Sequence, residues 1–241
     1  MAARPCLITG ASGNIGEAIA LRLIADGRPV ALTHSPRGAP SPSISGNEQV
    51  RWYPLEVRDD AAVQALVGSI ESDFGAVPDL VYCAGITGDA AIPRITNELW
   101  ESVIGTNLSG AFYTVRALAT KLMVAGDGRI VFIGSVSASK GNPGQMSYAA
   151  SKGALEAMAR EVAVEMGRFG VTCNVVSPGL IEGRMVGGVP DKTIERYVRS
   201  SPLRQIGKPV DVANLVSLLM SAEGRYITGQ TIQIDGGLTA M

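Results

Sequence analysis

Short apolar runs alternate with longer amphipathic stretches along the whole chain. Short runs rich in Val, Ile and Leu are typical of strands that are buried on both faces of a parallel sheet. The pattern predicts strands at Cys6–Thr9, Val30–Thr33, Val50–Leu55, Asp79–Cys83, Ile130–Ile133, Val171–Ser177 and Thr231–Ile234. Because helical stretches separate them, we expect one doubly wound α/β domain over residues 1–241, with a seven-stranded parallel sheet flanked by helices.

Two stretches interrupt this regular alternation. A long helix is predicted from a cap at Thr96 to about Val124, yet it contains Asn107 and Gly110, which are poor helix-interior residues. We therefore expect a local distortion with a purpose there, although a solvated asparagine is the more common explanation. The stretch from Leu180 to Leu203 is rich in glycine and proline and is predicted to be irregular.

Composition and charge exclude several classes of function. The chain is 46% hydrophobic and has a net charge of -1, so no basic excess attracts nucleic acid or anionic lipid. The three cysteines lie in apolar runs without C-x-x-C spacing, which is typical of reduced cysteines in a cytosolic protein. A single histidine and no zinc-like spacing argue against a metal site. Without an apolar run of membrane-spanning length or a signal peptide, we expect a soluble cytoplasmic protein.

The stretch from Thr9 to Gly16, T-G-A-S-G-N-I-G, joins the first predicted strand to the first helix. Glycine lets a backbone approach a pyrophosphate closely, and the positive end of the helix dipole favours that anion. A tight strand-to-helix turn needs glycine for its own geometry as well. Its place between the first strand and the first helix nevertheless favours dinucleotide binding.

Ser135, Tyr148 and Lys152 form the strongest candidate for catalysis. Ser135 follows a buried strand, and the other two lie four residues apart on one face of a helix. A tyrosine ionises near pH 10, and a neighbouring ammonium lowers that pKa, so the phenol becomes a useful acid. Ser135 would hold the substrate oxygen by a hydrogen bond. Taken singly, a Y-x-x-x-K pair is usually a solvated helix face, and such a serine is commonly a cap.

In combination, these motifs resemble the short-chain dehydrogenase/reductase family along essentially the whole chain. The pattern T-G-x-x-x-G-x-G corresponds to Thr9–Gly16, and Asn174–Gly179 corresponds to the family stretch after the sixth strand. The resemblance implies a Rossmann-type fold and the catalytic residues Asn107, Ser135, Tyr148 and Lys152. It also implies a cofactor site formed by Gly10, Ser12, Gly13, Asn14, Ile15, Gly16, His34, Ser35, Arg37, Glu56, Val57, Cys83, Ala84, Gly85, Tyr148, Lys152, Pro178, Gly179 and Ile181.

Within the family, the chain is most similar to 3-oxoacyl-[acyl-carrier-protein] reductases, for example at Ala84–Thr87 and Tyr226–Gln230. The resemblance implies NADPH-dependent reduction of a β-keto thioester and a homotetramer, with a homodimer as the alternative. Gly126 and Phe169 stand where such enzymes have arginines that dock the acyl carrier protein. Fatty-acid or polyketide biosynthesis is therefore expected, and a short-chain alcohol dehydrogenase for a free small molecule is the alternative. A non-catalytic nucleotide-binding protein has no need of all four catalytic residues.

Three further positions depart from the family pattern. Asn14 stands where a second glycine is usual, so the turn either differs slightly or uses a left-handed asparagine. Gly13 replaces a basic residue of many NADPH users, and Tyr82–Cys83 replaces a pair of asparagines near the nucleotide.

NADPH is expected in preference to NADH because the second strand ends without an acid. His34 and Ser35 can donate hydrogen bonds to a 2′-phosphate, and Arg37 can supply charge, although a solvated loop arginine is as good an explanation.

The segment 180–203 is expected to be a mobile lid over the substrate. Leu180, Ile181, Met185 and Val186 would cover an acyl chain, whereas permanent packing on a neighbouring subunit is the alternative.

Overall fold

The protein was analysed as a computed structural model, which describes residues 4–44, 46–183, 187 and 190–240. The strands are β1 (Cys6–Thr9), β2 (Val30–His34), β3 (Val50–Pro54), β4 (Asp79–Tyr82), β5 (Arg129–Ile133), β6 (Thr172–Pro178) and β7 (Thr231–Ile234). They form one parallel sheet in the order β3-β2-β1-β4-β5-β6-β7. The predicted fold class is confirmed. The chain order reverses between β1 and β4, and ligands of such sheets bind at the strand ends there.

Helices cover both faces of the sheet. They are α1 (Asn14–Ala25), α2 (Asp60–Phe74), α3 (Asn97–Ile104), α4 (Gly110–Ala125), α5 (Met146–Met166), α6 (Asp191–Ser200) and α7 (Pro209–Met220). Because strand side chains alternate, Leu80 faces the core formed with α2, α4 and α5, while Val81 faces the core formed with α1 and α7. Within the described residues, no helix combines the length and the apolar character that crossing a bilayer requires.

The prediction of an irregular segment at 180–203 is wrong over its second half. Residues Asp191–Ser200 form α6, in which Ile194, Tyr197 and Val198 are partly buried while most of the charged residues are exposed. The surrounding glycines and prolines outweighed this short amphipathic pattern in the sequence. Met185 and Val186 lie outside the described residues.

The expected distortion around Asn107 is confirmed. The Thr96 hydroxyl caps α3 by accepting the Leu99 N–H at 3.2 Å. Residues Gly105–Ser109 then form a π-helical turn, and α4 continues from Gly110. The N–H of Gly110 donates to the carbonyl of Gly105, so the turn is one residue wider than a regular α-helical turn.

The amino edge of the sheet contains a buried ionic cluster, formed by Asp79, Arg4, Arg28 and Arg129. The Asp79 carboxylate accepts hydrogen bonds from the Arg28 side chain, from Arg4 at 3.4 Å and from the Arg129 N–H at 2.8 Å. The Arg129 side chain donates to the carbonyl of Gly128 at 3.0 Å. The charges of this cluster therefore have partners within the protein.

Candidate active site

The carboxyl edge of the sheet assembles the predicted catalytic residues. Ser135 lies just beyond β5 with extended backbone, and its hydroxyl accepts the N–H of Ser137 at 3.2 Å. This contact caps the short turn Val136–Ala138, so Ser135 is a cap as well as a candidate catalytic group. Its side chain is almost wholly buried beside Tyr148.

Lys152 is a buried cation on α5. Its ammonium donates to the carbonyl of Ile133 at 2.7 Å and lies 5.6 Å from the centre of the Tyr148 ring. Among the described residues, no carboxylate forms an ion pair with it. Burial lowers the pKa of Lys152 to about 8, because a desolvated ammonium is costly.

The pKa of Tyr148 moves in the opposite direction to the sequence-based expectation. Burial raises this pKa, and the hydrogen bond with Ser135 opposes the rise. The ammonium of Lys152 is directed at a carbonyl and does not compensate for the desolvation of the phenolate. In the protein alone, Tyr148 is therefore held in the protonated form, which is the form that a proton donor needs.

Asn107 lies in the π-helical turn and is fully buried. Its side-chain oxygen accepts the N–H of Ile86 at 2.8 Å, and its side-chain nitrogen donates to the carbonyl of Ile86 at 3.0 Å and to the hydroxyl of Ser151 at 2.9 Å. The Ser151 hydroxyl donates to the carbonyl of Tyr148 at 2.7 Å. Asn107 thus links the loop after β4 to the helix that carries Tyr148.

Gly85 separates two of these groups. A β-carbon at Gly85 would lie 3.3 Å from the Lys152 ammonium and 3.4 Å from the Asn107 side-chain oxygen. A residue without a side chain at this position keeps the space between them open.

Sequence reasoning did not assign a role to Ser151 or to the polar network around Gln145. The Gln145 side-chain oxygen accepts hydrogen bonds from Ser137 at 2.9 Å and from Asn142 at 2.8 Å, and its nitrogen reaches Asp89 at 3.5 Å. These bonds join the loops after β4 and β5 beside the site. The position of Ser151 directly before Lys152 on a predicted helix was the available signal.

The glycine turn fits a closely approaching ligand. Gly10 has φ +66°, and a β-carbon there would lie 2.8 Å from the Ala84 α-carbon. The hydroxyl of Thr9 accepts the N–H groups of Cys83 and Ala84, each at 3.1 Å, and so fixes β4 against this turn. A β-carbon at Gly16 would lie 2.5 Å from the Gly10 carbonyl oxygen, so the start of α1 packs directly on the turn.

Asn14 is the first residue of α1, and Ser12, Gly13 and Ile15 surround it in the turn. Among the described residues other than glycine, only Asp127 and Arg204 have positive φ, so the left-handed alternative for Asn14 is wrong. A β-carbon at Gly183 would lie 2.8 Å from the side-chain carbon of Asn14. The segment after β6 therefore reaches back over the glycine turn.

Polar groups lie near the end of β2. His34 Nδ1 lies 2.8 Å from the carbonyl of Ser35, and Arg37 is exposed. The Arg58 guanidinium, bonded to Glu56 at 2.9 Å, lowers the pKa of the Glu56 carboxyl, and the Arg37 charge adds a smaller effect. The one acid of this corner is thus already occupied by a cation.

The remaining predicted cofactor residues line the same edge. Pro178 ends β6, a β-carbon at Gly179 would lie 2.9 Å from the Asp235 α-carbon, and buried Ile181 pairs with Gly207. Cys83 is partly buried between the turn and Lys152, and burial raises its pKa to about 11.

Comparison with known proteins identifies the family. A family model described as "Enoyl-(Acyl carrier protein) reductase" matches residues 10–239. The chain belongs to the short-chain dehydrogenase/reductase family. It is an oxidoreductase that acts on CH–OH or C=O groups, and the family implies a nicotinamide cofactor.

Similar members of the short-chain dehydrogenase/reductase family cover nearly the whole chain. The 3-oxoacyl-[acyl-carrier-protein] reductase MabA of Mycobacterium tuberculosis is 40% identical, with 98% of this chain and 92% of the relative covered. The 3-oxoacyl-[acyl-carrier-protein] reductase FabG of Escherichia coli is 38% identical, with 96% of each covered. The (3R)-3-hydroxyacyl-CoA dehydrogenase of Canis lupus familiaris is 35% identical, with 96% of this chain and 95% of the relative covered.

Proposed function

We propose that this enzyme uses NADPH to reduce a 3-oxoacyl thioester, carried by an acyl carrier protein, to the 3-hydroxyacyl thioester in fatty-acid or polyketide-type biosynthesis. The observation that carries the proposal is the joint burial of Ser135, Tyr148, Lys152 and Asn107 at one edge of the sheet, beside a glycine turn. The printed names of the relatives support the acyl substrate. The three free cysteines support a cytoplasmic location.

The cleft fits a dinucleotide because Gly10, Gly13 and Gly16 leave the backbone bare at the amino end of α1. The bound cofactor would supply a hydride to the carbonyl carbon. Tyr148 would give its proton to the carbonyl oxygen, and Ser135 would hold that oxygen in place. Lys152 would hold the nicotinamide ribose and restore a proton to Tyr148, with Asn107 fixing the loop beside it.

Tyr148→Phe is the direct test of the catalytic assignment. It keeps the ring and removes the proton, so turnover of a 3-oxoacyl thioester is expected to fall by at least about a hundredfold. Cofactor binding, measured by fluorescence titration, should remain within about twofold of the wild type if only the proton is lost. A folded variant that binds cofactor and keeps most of its turnover would refute the assignment.

The roles of Lys152 and Ser135 separate in the same assay. Lys152→Ala should weaken cofactor binding as well as turnover, because its ammonium is proposed to contact the ribose. Ser135→Ala should lower turnover and leave cofactor affinity nearly unchanged. Equal effects of the two variants on cofactor affinity would contradict this division.

The preference for NADPH is proposed from the charge at the end of β2. Arg37 is exposed there, and Glu56 is engaged by Arg58. Arg37→Ala should raise KM for NADPH and leave KM for NADH unchanged. A wild type that turns over NADH as well as NADPH would overturn the preference.

Carrier docking is proposed at the exposed face of α6. Gly126 and Phe169 lie together at the amino edge of the sheet, where a β-carbon at Gly126 would be 3.7 Å from the Phe169 carbonyl. Lys192, Arg196 and Arg199 instead share one face of α6, which follows β6 on the side of the active site. An acidic carrier would complement this face.

A charge reversal tests the docking face. Arg196→Glu is expected to raise KM for a carrier-bound thioester severalfold while KM for the free thioester is unchanged. Arg168→Glu, at the amino edge, is the matched control. Equal KM values for both substrates in the wild type would favour an enzyme of free small molecules.

The assembly and the lid also remain proposals. Exposed Phe112 and Val124 on α4 and Val164 on α5 support burial of these helices in a homotetramer or homodimer, which analytical ultracentrifugation distinguishes. Residues 180–203 are proposed to be the lid. Proteolysis near Lys192 that is slowed by cofactor plus substrate would support it, and equal cleavage in both states would favour a fixed subunit contact.

A further inference from the structure

Tyr82 has a contact that the proposed reaction does not explain. It is the last residue of β4, it is fully buried, and its hydroxyl donates to the carbonyl of Thr106 at 2.5 Å. A buried phenol needs such a partner. Burial raises the pKa of Tyr82 well above its usual range, so the hydroxyl remains a donor over the whole working pH range.

The accepting carbonyl belongs to the π-helical turn. A turn in which Gly110 bonds back to Gly105 interrupts the regular ladder of helical hydrogen bonds, and a buried carbonyl without a donor is costly. The Tyr82 hydroxyl supplies the Thr106 carbonyl with a donor from outside the helix.

Gly110 is matched to this contact. A β-carbon at Gly110 would overlap the Tyr82 hydroxyl and would lie 2.9 Å from the carbonyl oxygen of Val57. Glycine inside a helix costs about 1 kcal/mol relative to alanine. The close approach of the phenol gives a physical reason for that cost at this position.

Thr106 is adjacent to Asn107, whose side chain spans Ile86 and Ser151. We propose that Tyr82 is a positioning residue, whose hydroxyl holds the π-helical turn open so that Asn107 keeps both of these bonds. The effect of Tyr82 on turnover rests on the proposed function, whereas its effect on the geometry of Asn107 does not.

Amide hydrogen exchange of the whole protein tests the geometric part. In Tyr82→Phe, the Ile86 N–H, which is bonded to Asn107, is expected to exchange at least tenfold faster than in the wild type. The Ala84 N–H is bonded to Thr9 two residues earlier and serves as the internal control, with an unchanged rate. Unchanged exchange at Ile86, or equal acceleration at both amides, would overturn the proposal.

Steady-state kinetics test the catalytic part. Tyr82→Phe should lower kcat about three- to tenfold, the range expected when one hydrogen bond is lost, and leave both KM values within about twofold. In an Asn107→Ala background it should have no further effect, because Tyr82 acts through Asn107. Tyr53→Phe removes another tyrosine hydroxyl, bonded to Asp73 on the protein surface, and should leave kcat unchanged.

The failures are distinguishable. Multiplicative effects of the two substitutions would show that Tyr82 acts independently of Asn107 and would overturn the proposal. A wild type that fails to reduce 3-oxoacyl thioesters refutes the proposed function, while the exchange result still decides the role of Tyr82. Gly110→Ala displaces the hydroxyl from the helix side and should give the same faster exchange at Ile86; if Tyr82→Phe does not fold, this variant decides.

Discussion

The two edges of the sheet treat buried charge in opposite ways. At the amino edge, Asp79 accepts hydrogen bonds from Arg4, Arg28 and Arg129. At the carboxyl edge, Lys152 is equally buried, but its charge meets one carbonyl oxygen and, within the described residues, no carboxylate. The first arrangement stabilises the fold, whereas the second leaves an ammonium that a ligand can complement.

This difference shows where the fold carries a cost for its activity. A buried charge that is paired holds chain segments together, and a buried charge that is unpaired destabilises the protein until something binds. The lowered pKa of Lys152, about 8, reflects that cost. The substitutions below change the charge at each edge in turn.

Removing the charge at the amino edge should have the largest effect on stability. Asp79→Asn leaves Arg28 and Arg4 without a counter-charge, and we expect the free energy of unfolding to fall by about 3 kcal/mol or more. Urea denaturation measures it. Asp127→Asn is the matched control, since this exposed carboxylate pairs with Arg129 in solvent and should contribute less than about 1 kcal/mol. Equal losses in the two variants would contradict the comparison.

Removing the charge at the carboxyl edge should have the opposite sign. Lys152→Met is expected to raise the free energy of unfolding at pH 7 by roughly 1–3 kcal/mol, because burial has lowered the lysine pKa by more than two units. Turnover should be lost in the same variant. Lys121→Met, at an exposed lysine that pairs with Glu71, should change stability by less than about 1 kcal/mol. A less stable Lys152→Met protein would refute the inference that this charge is uncompensated.

The pH dependence of that difference sharpens the test. Lys152 has a pKa of about 8 in the folded chain and 10.5 when unperturbed, so the unfolded state binds more protons between these values. Wild-type stability therefore gains on Lys152→Met as pH rises through this window. The difference should be constant below about pH 8 and should vanish near pH 10.5. Contributions of the buried cysteines occur in both proteins and cancel. A difference that does not change with pH would assign the effect to packing.

The smallest effect on stability is expected at Gly85. In Gly85→Ala the new β-carbon pushes on Lys152 and Asn107 by a few tenths of an ångström, while the unfolded chain loses freedom, so the free energy of unfolding should change by less than about 1 kcal/mol. Turnover should nevertheless fall, because both groups move. Gly68→Ala, within α2 where nothing lies near the new β-carbon, should stabilise the protein by up to about 1 kcal/mol without loss of activity.

The sequence predicts the sheet because buried parallel strands leave continuous apolar runs, as at Ile130–Ile133. The pairing of Tyr148 with Lys152 is predictable because a spacing of four fixes the helix face. The direction of the Tyr148 pKa shift was not predictable, because it depends on burial by distant parts of the chain. Similarly, the sequence cannot reveal that Tyr82 reaches Thr106, since the contact requires β4 and the π-helical turn to be in place.

The π-helical turn at Gly105–Ser109 also sets the orientation of all of α4. Each residue turns a helix by about 100°, so deletion of one residue from the turn would straighten the helix and rotate every later side chain by that angle. Leu118 and Leu122, now fully buried, would swing away from the core at a cost of about 3–6 kcal/mol. A deletion that removes the bulge is therefore selected against by packing that begins eight or more residues away. The geometry around Asn107 is protected by a hydrophobic core that takes no part in the chemistry.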